Sequence, residues 1–229
     1  MSQMIQKGLK SKIKDDSSLD SQYAFDLGDF FCVDNNHKFI HEQDVKKFLD
    51  VITQGKYPFS SSEQYVNQLD HTFWLLPSVA AAKVLKKLLN NHEFFKNFEI
   101  VLAVGKGSSS SQTTNEFGTG FRKNQKSFNK VREAIDKPHS KTITLSVGQL
   151  TTGVTVPEWT GVLMLRNIES ACLYFQSAFW VQNPHEYEVE NEQHEKFLAI
   201  KENAYIFDFA PEQRLKFCDD FATRLLVGE

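Results

Sequence analysis

The segment TFWLLPSVAAAKVLKKLLNNHEFFKNFEIVLAV, residues 72–104, decides the fold class of this chain. It opens with a short apolar run at 72–76, continues with apolar residues at helical spacing over 79–91, and closes with a second apolar run at 98–104. Ser78 predicts the start of the helix, because its hydroxyl can accept a hydrogen bond from a free amide of the first turn. A strand, a helix and a second strand in this order are typical of a parallel sheet.

The same alternation continues downstream of this segment. Two polar stretches predict exposed loops, one Gly/Ser-rich at 105–120 and one strongly acidic at 184–196, whose charge would repel an anionic partner. Residues 71–229 are therefore predicted to form one α/β domain, a parallel sheet flanked by helices on both faces. The further strands are expected at 142–147, 161–165 and 204–210, and the further helices at 123–135, 170–179 and 211–226.

The region before residue 71 has a different character. Residues 1–21 are polar and rich in Lys, Ser and Asp, which predicts a flexible leader. Residues 22–70 contain apolar side chains at helical spacing, among them Val45, Leu49 and Ile52. This pattern predicts a smaller, mostly helical segment or insertion ahead of the sheet domain.

The composition excludes several classes of protein. With 229 residues, of which 41% are hydrophobic and 24% charged, the chain can bury a sizeable core and is not a highly charged disordered polymer. Its formal net charge of -3 excludes a globally basic nucleic-acid binder. No run of about 18 apolar residues occurs, so no membrane span is expected. The N-terminus lacks the apolar core of a signal peptide.

The cysteines and histidines predict neither a metal site nor a disulfide framework. Cys32, Cys172 and Cys218 are far apart, odd in number and form no C-x-x-C pair. His37 and His41 are four residues apart but lack the glutamate of an H-E-x-x-H arrangement. A reducing, cytoplasmic location is the expectation that follows.

The densest chemical motif is TITLSVGQLTTGVTVPEWTGVLML, residues 142–165. A buried strand leads into Gly148, then into a Thr-Thr-Gly turn and a second buried strand. Thr151 and Thr152 offer hydroxyls beside free amides, a combination that commonly holds the phosphates of a nucleic-acid backbone. Gly153 lets the backbone approach a ligand closely or adopt a positive φ. An ordinary capped turn between two strands is the alternative interpretation of these residues.

Together with YFQSAFWVQNP, residues 174–184, this motif resembles the second RecA-like domain of large superfamily-two DEAD/DEAH-type helicases linked to bacterial restriction systems. Residues 71–89 resemble the strand and helix that open that domain, and residues 205–215 resemble its last strand. Residues 22–70 resemble the segment that precedes it. The resemblance extends over about 71–220 and implies a RecA-like fold, an α/β parallel sheet flanked by helices.

The resemblance implies roles for individual residues in two helicase motifs. Thr151, Thr152 and Gly153 would contact the nucleic-acid strand or couple it to the nucleotide. Gly153, Thr155 and Gln176 would be nucleotide-binding, with Thr155 near the ribose. Gln176 would open motif VI beside the cleft between two RecA-like domains.

One position departs from the family pattern in a way that bears on catalysis. Trp180 stands where the family places an arginine finger, which stabilises charge on the transferring phosphoryl group. A neutral indole has one N–H donor and no charge, so it cannot replace a guanidinium. Asn183 stands at the second arginine position of the motif, and Arg166 is the nearby arginine that could substitute. Packing of Trp180 in a core is the alternative interpretation.

Nucleotide chemistry requires groups that this sequence lacks. No G-x-x-x-x-G-K-[ST] phosphate loop occurs, and no Asp-Glu-x-His or Asp-Glu-x-Asp motif. The stretch Gly105-Lys106-Gly107-Ser108 lacks the upstream glycine of a phosphate loop. The resemblance therefore implies that ATP and Mg²⁺ are bound mainly by a preceding RecA-like domain, and that this chain alone is inactive.

The function implied is that of the C-terminal motor domain of an ATP-dependent DNA helicase or translocase of a restriction-modification or defence system. Its partners would be DNA, the preceding RecA-like domain and nuclease or methylase subunits, with no membrane. A non-catalytic nucleic-acid-binding or scaffolding domain is the first alternative. A metabolic α/β enzyme is the second, but no paired acid and base is evident by spacing.

Overall fold

A computed structural model shows five parallel strands in one sheet with helices on both faces, so the predicted α/β class is confirmed. The predicted helix at 211–226 and the Thr-Thr-Gly turn at 151–153 lie outside the described residues. Within the part of the chain that is described, no helix is both long and apolar enough to span a membrane. The described residues are 10–12, 23–54, 58–59, 69–104, 117–148, 150, 155–168, 170–190 and 196–210.

The strands predicted in 71–210 and the helices predicted at 79–91 and 170–179 recur with shifts of at most two residues at their ends, whereas the helix predicted at 123–135 begins six residues earlier, at Phe117. A 3-10 turn, Phe95–Asn97, lies between the helix Val79–Asn91 and the strand Glu99–Ala103. In chain order the elements are β1 (Lys10–Lys12), β2 (Tyr23–Phe25), α1 (Leu27–Phe30), α2 (Glu42–Gln54), β3 (His71–Leu75), α3 (Val79–Asn91), β4 (Glu99–Ala103), α4 (Phe117–Ile135), β5 (Thr142–Ser146), β6 (Gly161–Met164), α5 (Ala171–Trp180), β7 (Glu186–Glu190), β8 (Lys196–Ile200) and β9 (Tyr205–Asp208).

The sheet has the strand order β4-β5-β3-β6-β9. Its central strand, β3, is the first of these five strands in the chain. Trp74 of β3 is in register with Leu145 of β5 on one side and with Leu163 of β6 on the other. The chain leaves β3 toward β4 and later crosses β3 to pass from β5 to β6. The direction of the connections therefore reverses beside β3, which makes this strand the switch point of the sheet.

The side chains of β3 divide the apolar interior into two layers, because successive residues of a strand point to opposite faces. Trp74 belongs to the core on the first face, which α2 and α3 cover. Phe73 and Leu75 belong to the core on the second face, which α4, the β5–β6 connection and the end of α5 cover. All three side chains are fully buried, so the sheet is apolar on both faces, as a parallel sheet requires.

The N-terminal helices pack directly on the first face of the sheet. Phe30, Val45 and Leu49 are buried in the same core as α3, and the ring of Phe48 lies 5.1 Å from that of Phe209 in an edge-on contact. The predicted helical character of 22–70 is seen in α1 and α2. Three residues of the predicted leader form β1, which pairs antiparallel with β2.

Two loop predictions are wrong in part. The acidic stretch 184–196, predicted as an exposed loop, contains β7 and the first residue of β8, which pair as an antiparallel hairpin. The alternation Glu-Tyr-Glu-Val-Glu is a strand pattern in which carboxylates occupy the solvent side. The Gly/Ser-rich stretch 105–120 overlaps α4, which begins at Phe117, so its last four residues are helical.

Candidate nucleic-acid interface

Three segments meet at the carboxyl end of β3, where the switch point lies. The Leu76 amide donates to the Ser146 carbonyl at 2.8 Å, and the Leu165 amide donates to the Leu75 carbonyl at 2.9 Å. These contacts align the ends of β3, β5 and β6. The segment after β3 turns to the first face of the sheet, whereas the segments after β5 and β6 turn to the second face. Segments that part to opposite faces leave a crevice at the carboxyl ends of the strands, and ligands of open α/β sheets bind in such a crevice.

The β5–β6 connection leaves this crevice with an unusual backbone. Gly148 has a φ of 136°, and among the described residues no heavy atom lies within 4 Å of the position that a Cβ would take there. Leu150 has a φ of 64°, which costs a non-glycine residue on the order of 1 kcal/mol. Its side chain is nevertheless fully buried in the core of the second face. The conformation is therefore held by packing, and the start of the connection is fixed.

The predicted phosphate-binding turn lies between two described positions. Thr151, Thr152 and Gly153 themselves are outside the described residues. Leu150 before the turn is buried, and Thr155 after it is exposed. Leu150 is therefore anchored in the core, and Thr155 is accessible to a ligand.

The rest of the connection follows the second face toward the amino edge of the sheet. The ring of Trp159 is fully buried, and its centre lies 4.8 Å from the centre of the Phe73 ring. The Thr160 amide then donates to the His71 carbonyl at 2.9 Å, at the beginning of β3. One continuous segment thus joins the carboxyl-edge crevice to the opposite edge of the sheet.

Arg166 lies beside the start of the β5–β6 connection. It follows β6, and its Nη1 atom donates to the Val147 carbonyl at 3.3 Å, immediately after β5. A guanidinium has N–H donors in a planar fork that matches phosphate geometry. The sequence identified Arg166 only as an arginine near motif VI, but its position directly after an apolar strand is the signal that places it at this edge.

Helix α5 presents Gln176 on an exposed face. Ser170 caps the helix, its Oγ accepting from the Leu173 amide at 3.3 Å. Phe175 and Phe179 flank Gln176 at helical spacing, with 37% and 60% of their surfaces exposed. Cys172, one turn earlier, is also exposed. Gln176 thus lies in an apolar stripe on the surface of the chain.

Trp180, one turn after Gln176 at the end of the same helix, is buried. Only 9% of its surface is exposed, and its ring contacts that of Phe73 edge-on at 5.1 Å. Asn183 stabilises the end of the helix, because its Nδ2 donates to the Trp180 carbonyl at 2.9 Å. At the position where the resemblance implies an arginine finger, this protein has a core side chain.

A second cluster of charged groups at the amino edge was not predicted. Lys201 donates to the carbonyls of Pro157, Trp159 and Val181 at 2.7, 3.2 and 3.0 Å, which joins the β5–β6 connection, the end of α5 and β8. Burial lowers the pKa of this lysine. A cavity of about 550 Å³ lies beside it, between the hairpin and the start of β3. Among the described residues no group of three or more His, Cys, Asp or Glu is arranged to hold a metal.

Glu158 and Arg132 form the ion pair of this cluster, with Nη1 and Oε1 2.6 Å apart. Burial raises the pKa of Glu158, but the hydrogen bond and charge of Arg132 together with a backbone hydrogen bond outweigh it, so the net pKa lies below its usual value. The carboxylate is therefore ionised at neutral pH. Only 13% of the Glu158 side chain is exposed, so this pair is a structural contact between α4 and the connection.

His71 predicts a measurable pH dependence of stability. Burial lowers its pKa, and its Nδ1 lies 3.0 Å from Thr142 Oγ1. Because the unfolded chain then binds more protons than the folded one, the free energy of unfolding should rise with pH from the lowered pKa to about 6.5 and level off above it. Urea denaturation between pH 5 and 7.5 measures this slope. The His71→Gln variant should lose it and the exposed His139→Gln variant should keep it; equal slopes in both variants would contradict the assignment.

Comparisons with known proteins show a curated relative and similarity to solved structures. No protein-family model matches the chain. The chain is 28% identical over 191 residues, 81% of its length, to a Mycoplasma pneumoniae protein named "Putative type II restriction enzyme and methyltransferase RM.MpnORF110P C-terminus". It spans 24% of that relative's length. It is also similar to the C-terminal part of the Fun30 ATPase domain, with a TM-score of 0.39 and 10% identity, over 73% of this chain and 40% of that one.

Proposed function

We propose that this chain is the second, C-terminal motor domain of an ATP-dependent DNA helicase or translocase that serves a restriction-modification or related defence system. The observation that carries the proposal is the 28% identity over 191 residues to a protein named as a restriction enzyme and methyltransferase. The fold is compatible with it, because the segment that bears the Thr-Thr-Gly turn starts at the switch point of a parallel sheet.

The proposed grip on DNA is made by backbone amides, hydroxyls and one guanidinium. Thr151, Thr152 and Gly153 contact phosphates of the strand, and Arg166 supports them from the base of the turn. Such contacts position a strand without reading its sequence. This suits a motor that moves along DNA of any sequence, and it does not require a basic composition.

The proposed nucleotide site is shared with a preceding RecA-like domain. That domain supplies the phosphate loop and the Mg²⁺ ligands, while Thr155 and Gln176 of this chain approach the nucleotide from the other wall of the cleft. Phe175 and Phe179 support this arrangement, because an exposed aromatic stripe around Gln176 is suited to packing against another domain. Nuclease or methylase functions belong to other parts of the assembly.

The test compares two threonine pairs in the full-length protein. The Thr151→Ala/Thr152→Ala variant is expected to bind single-stranded DNA at least about tenfold more weakly at a fixed salt concentration and to lose DNA-stimulated ATPase activity. The matched control is Thr113→Ala/Thr114→Ala, a second Thr-Thr pair outside the motif. Equal affinities in the two variants would refute the proposed grip. DNA-stimulated ATP hydrolysis by the 229-residue chain alone would refute the shared nucleotide site.

The burial of Trp180 favours a second candidate, a nucleic-acid-binding or scaffolding domain that has lost ATPase chemistry. A core indole at the arginine-finger position cannot stabilise phosphoryl transfer. The two candidates differ in one measurement on the full-length protein. DNA binding without any DNA-stimulated ATPase activity supports the scaffold, whereas activity that depends on Arg166 supports the motor.

A further inference from the structure

The outer face of the β7–β8 hairpin combines two columns of different chemistry. Glu186 lies opposite Ile200, and Glu188 lies opposite Leu198. Directly paired residues of an antiparallel ladder share one face of the sheet. Carboxylates therefore line one strand of this face, whereas the other strand carries the large aliphatic side chains of Leu198 and Ile200 after Lys196 at its first position. Leu198 and Ile200 are 68% and 61% exposed, although side chains of this size are usually buried.

The hairpin holds this face in a fixed place. An isolated two-stranded hairpin is only marginally stable, but here the Lys201 amide donates to the His185 carbonyl at 2.8 Å and closes the ladder. The ammonium group of Lys201 then ties β8 to three carbonyls of the domain. Tyr187 and Ala199, which face the other way, line the cavity at the amino edge, and Ile200 lies at its border. The exposed aliphatic pair is thus presented by an anchored element.

We propose that this face docks a basic amphipathic segment of a partner protein, with apolar side chains on Leu198 and Ile200 and Lys or Arg side chains opposite Glu186 and Glu188. The negative charge of Glu186 and Glu188 favours a basic partner segment over an acidic one. DNA would meet the carboxylates with its phosphates, and a second copy of the face would bring carboxylates near carboxylates. The Lys196–Glu188 contact of 3.4 Å does not neutralise the column, because both side chains are 68% exposed and screened by water.

This surface is distinct from the proposed nucleic-acid interface and does not rest on it. The hairpin connects the end of α5 to the start of β9 and lies beside the first residues of β3, at the amino edge of the sheet. The candidate DNA contacts lie at the carboxyl edge. Docking at the hairpin would therefore leave the crevice at the carboxyl edge open.

The test uses the whole chain and two synthetic peptides that alternate leucine with either lysine or glutamate. The lysine peptide is expected to bind in a saturable manner that weakens with added NaCl, and the glutamate peptide is expected not to bind. Leu198→Ser/Ile200→Ser and Glu186→Gln/Glu188→Gln should each weaken the lysine peptide at least about tenfold. The matched control is Ile40→Ser/Val51→Ser, which changes two aliphatic side chains that are 59% and 65% exposed elsewhere.

Three results would overturn the proposal. The first is equal binding of both peptides, or equal binding by the hairpin and control variants. The second is a dimer of the chain in sedimentation experiments that Leu198→Ser/Ile200→Ser dissociates, which would make a second copy the occupant. The third is a loss of DNA affinity in the hairpin variants. Unchanged thermal unfolding of the variants is the check that the exposed substitutions leave the fold intact.

Discussion

Trp180→Ala is expected to lower the free energy of unfolding by about 3–5 kcal/mol. The indole is 9% exposed and packs edge-on against Phe73 in the second core. Truncation removes its apolar contacts and leaves a cavity that the central strand cannot fill, because β3 is held in register on both sides. Urea denaturation measures the loss. Phe179→Ala is the matched control, since a neighbouring aromatic residue that is 60% exposed should change stability by less than about 0.5 kcal/mol.

Trp180→Arg separates the two interpretations of this position more sharply. A guanidinium placed among the apolar side chains of the second core would be desolvated, so this variant should be at least as unstable as Trp180→Ala. It should also fail to increase DNA-stimulated ATPase activity in the full-length protein. A stable Trp180→Arg variant with raised ATPase activity would show that the position reaches the nucleotide cleft and would contradict the core assignment.

Lys201→Met is expected to cost about 3 kcal/mol, the second largest effect. Methionine keeps much of the length of the side chain but leaves the carbonyls of Pro157, Trp159 and Val181 without their charged donor. A hydrogen bond to a charged group contributes about 1.5–3 kcal/mol. The three carbonyls share one partly solvated ammonium group, so the total is smaller than the sum of three separate bonds. Lys196→Met is the control, because its side chain is 68% exposed and its contact with Glu188 is long.

The Lys201→Met variant should also loosen the hairpin selectively. The backbone hydrogen bond from the Lys201 amide to the His185 carbonyl remains in this variant. The side chain of residue 201, however, no longer ties the hairpin to the β5–β6 connection and α5. Limited proteolysis is expected to cut between residues 186 and 200 several-fold faster than in the Lys196→Met control. Equal cleavage rates and equal unfolding free energies in the two variants would show that the three carbonyl contacts do not anchor the hairpin.

The predictions from sequence succeeded where structure is decided locally. Helix α3 spans the predicted residues 79–91, and Ser78 caps it as expected, its Oγ accepting from the Ala81 amide at 3.1 Å. A segment with an apolar period of 3.6 residues between two short apolar runs fits few structures other than a helix between two strands. The β7–β8 hairpin was missed because its carboxylates suggest a solvated loop, and its stability depends on Lys201 contacts to distant carbonyls.

The candidate site was predictable in composition but not in arrangement. The Thr-Thr-Gly turn stands out from its own residues and from the resemblance. The contact of Arg166 with the Val147 carbonyl requires two strand ends to be neighbours in the sheet. The packing of Trp180 on Phe73 requires α5 to lie on the second face of the sheet. Strand order determines both contacts, and it is a property of the whole domain that no local pattern specifies.

The position of β3 has a consequence for how the protein folds during synthesis. The strand is the first of the five in the chain, yet it pairs with β5 and β6 and not with the strand that follows it. Both edges of β3 therefore stay unpaired until the ribosome has released both later strands, and its strand pairings are long in sequence separation. A high contact order of this kind slows folding. A chain that ends before β6 lacks the α5 residues, and at least part of the β5–β6 connection, that cover Phe73 and Leu75 on the second face. Such exposed apolar surface and unpaired strand edges favour aggregation, so chaperone dependence should be greatest in truncations that end before β6.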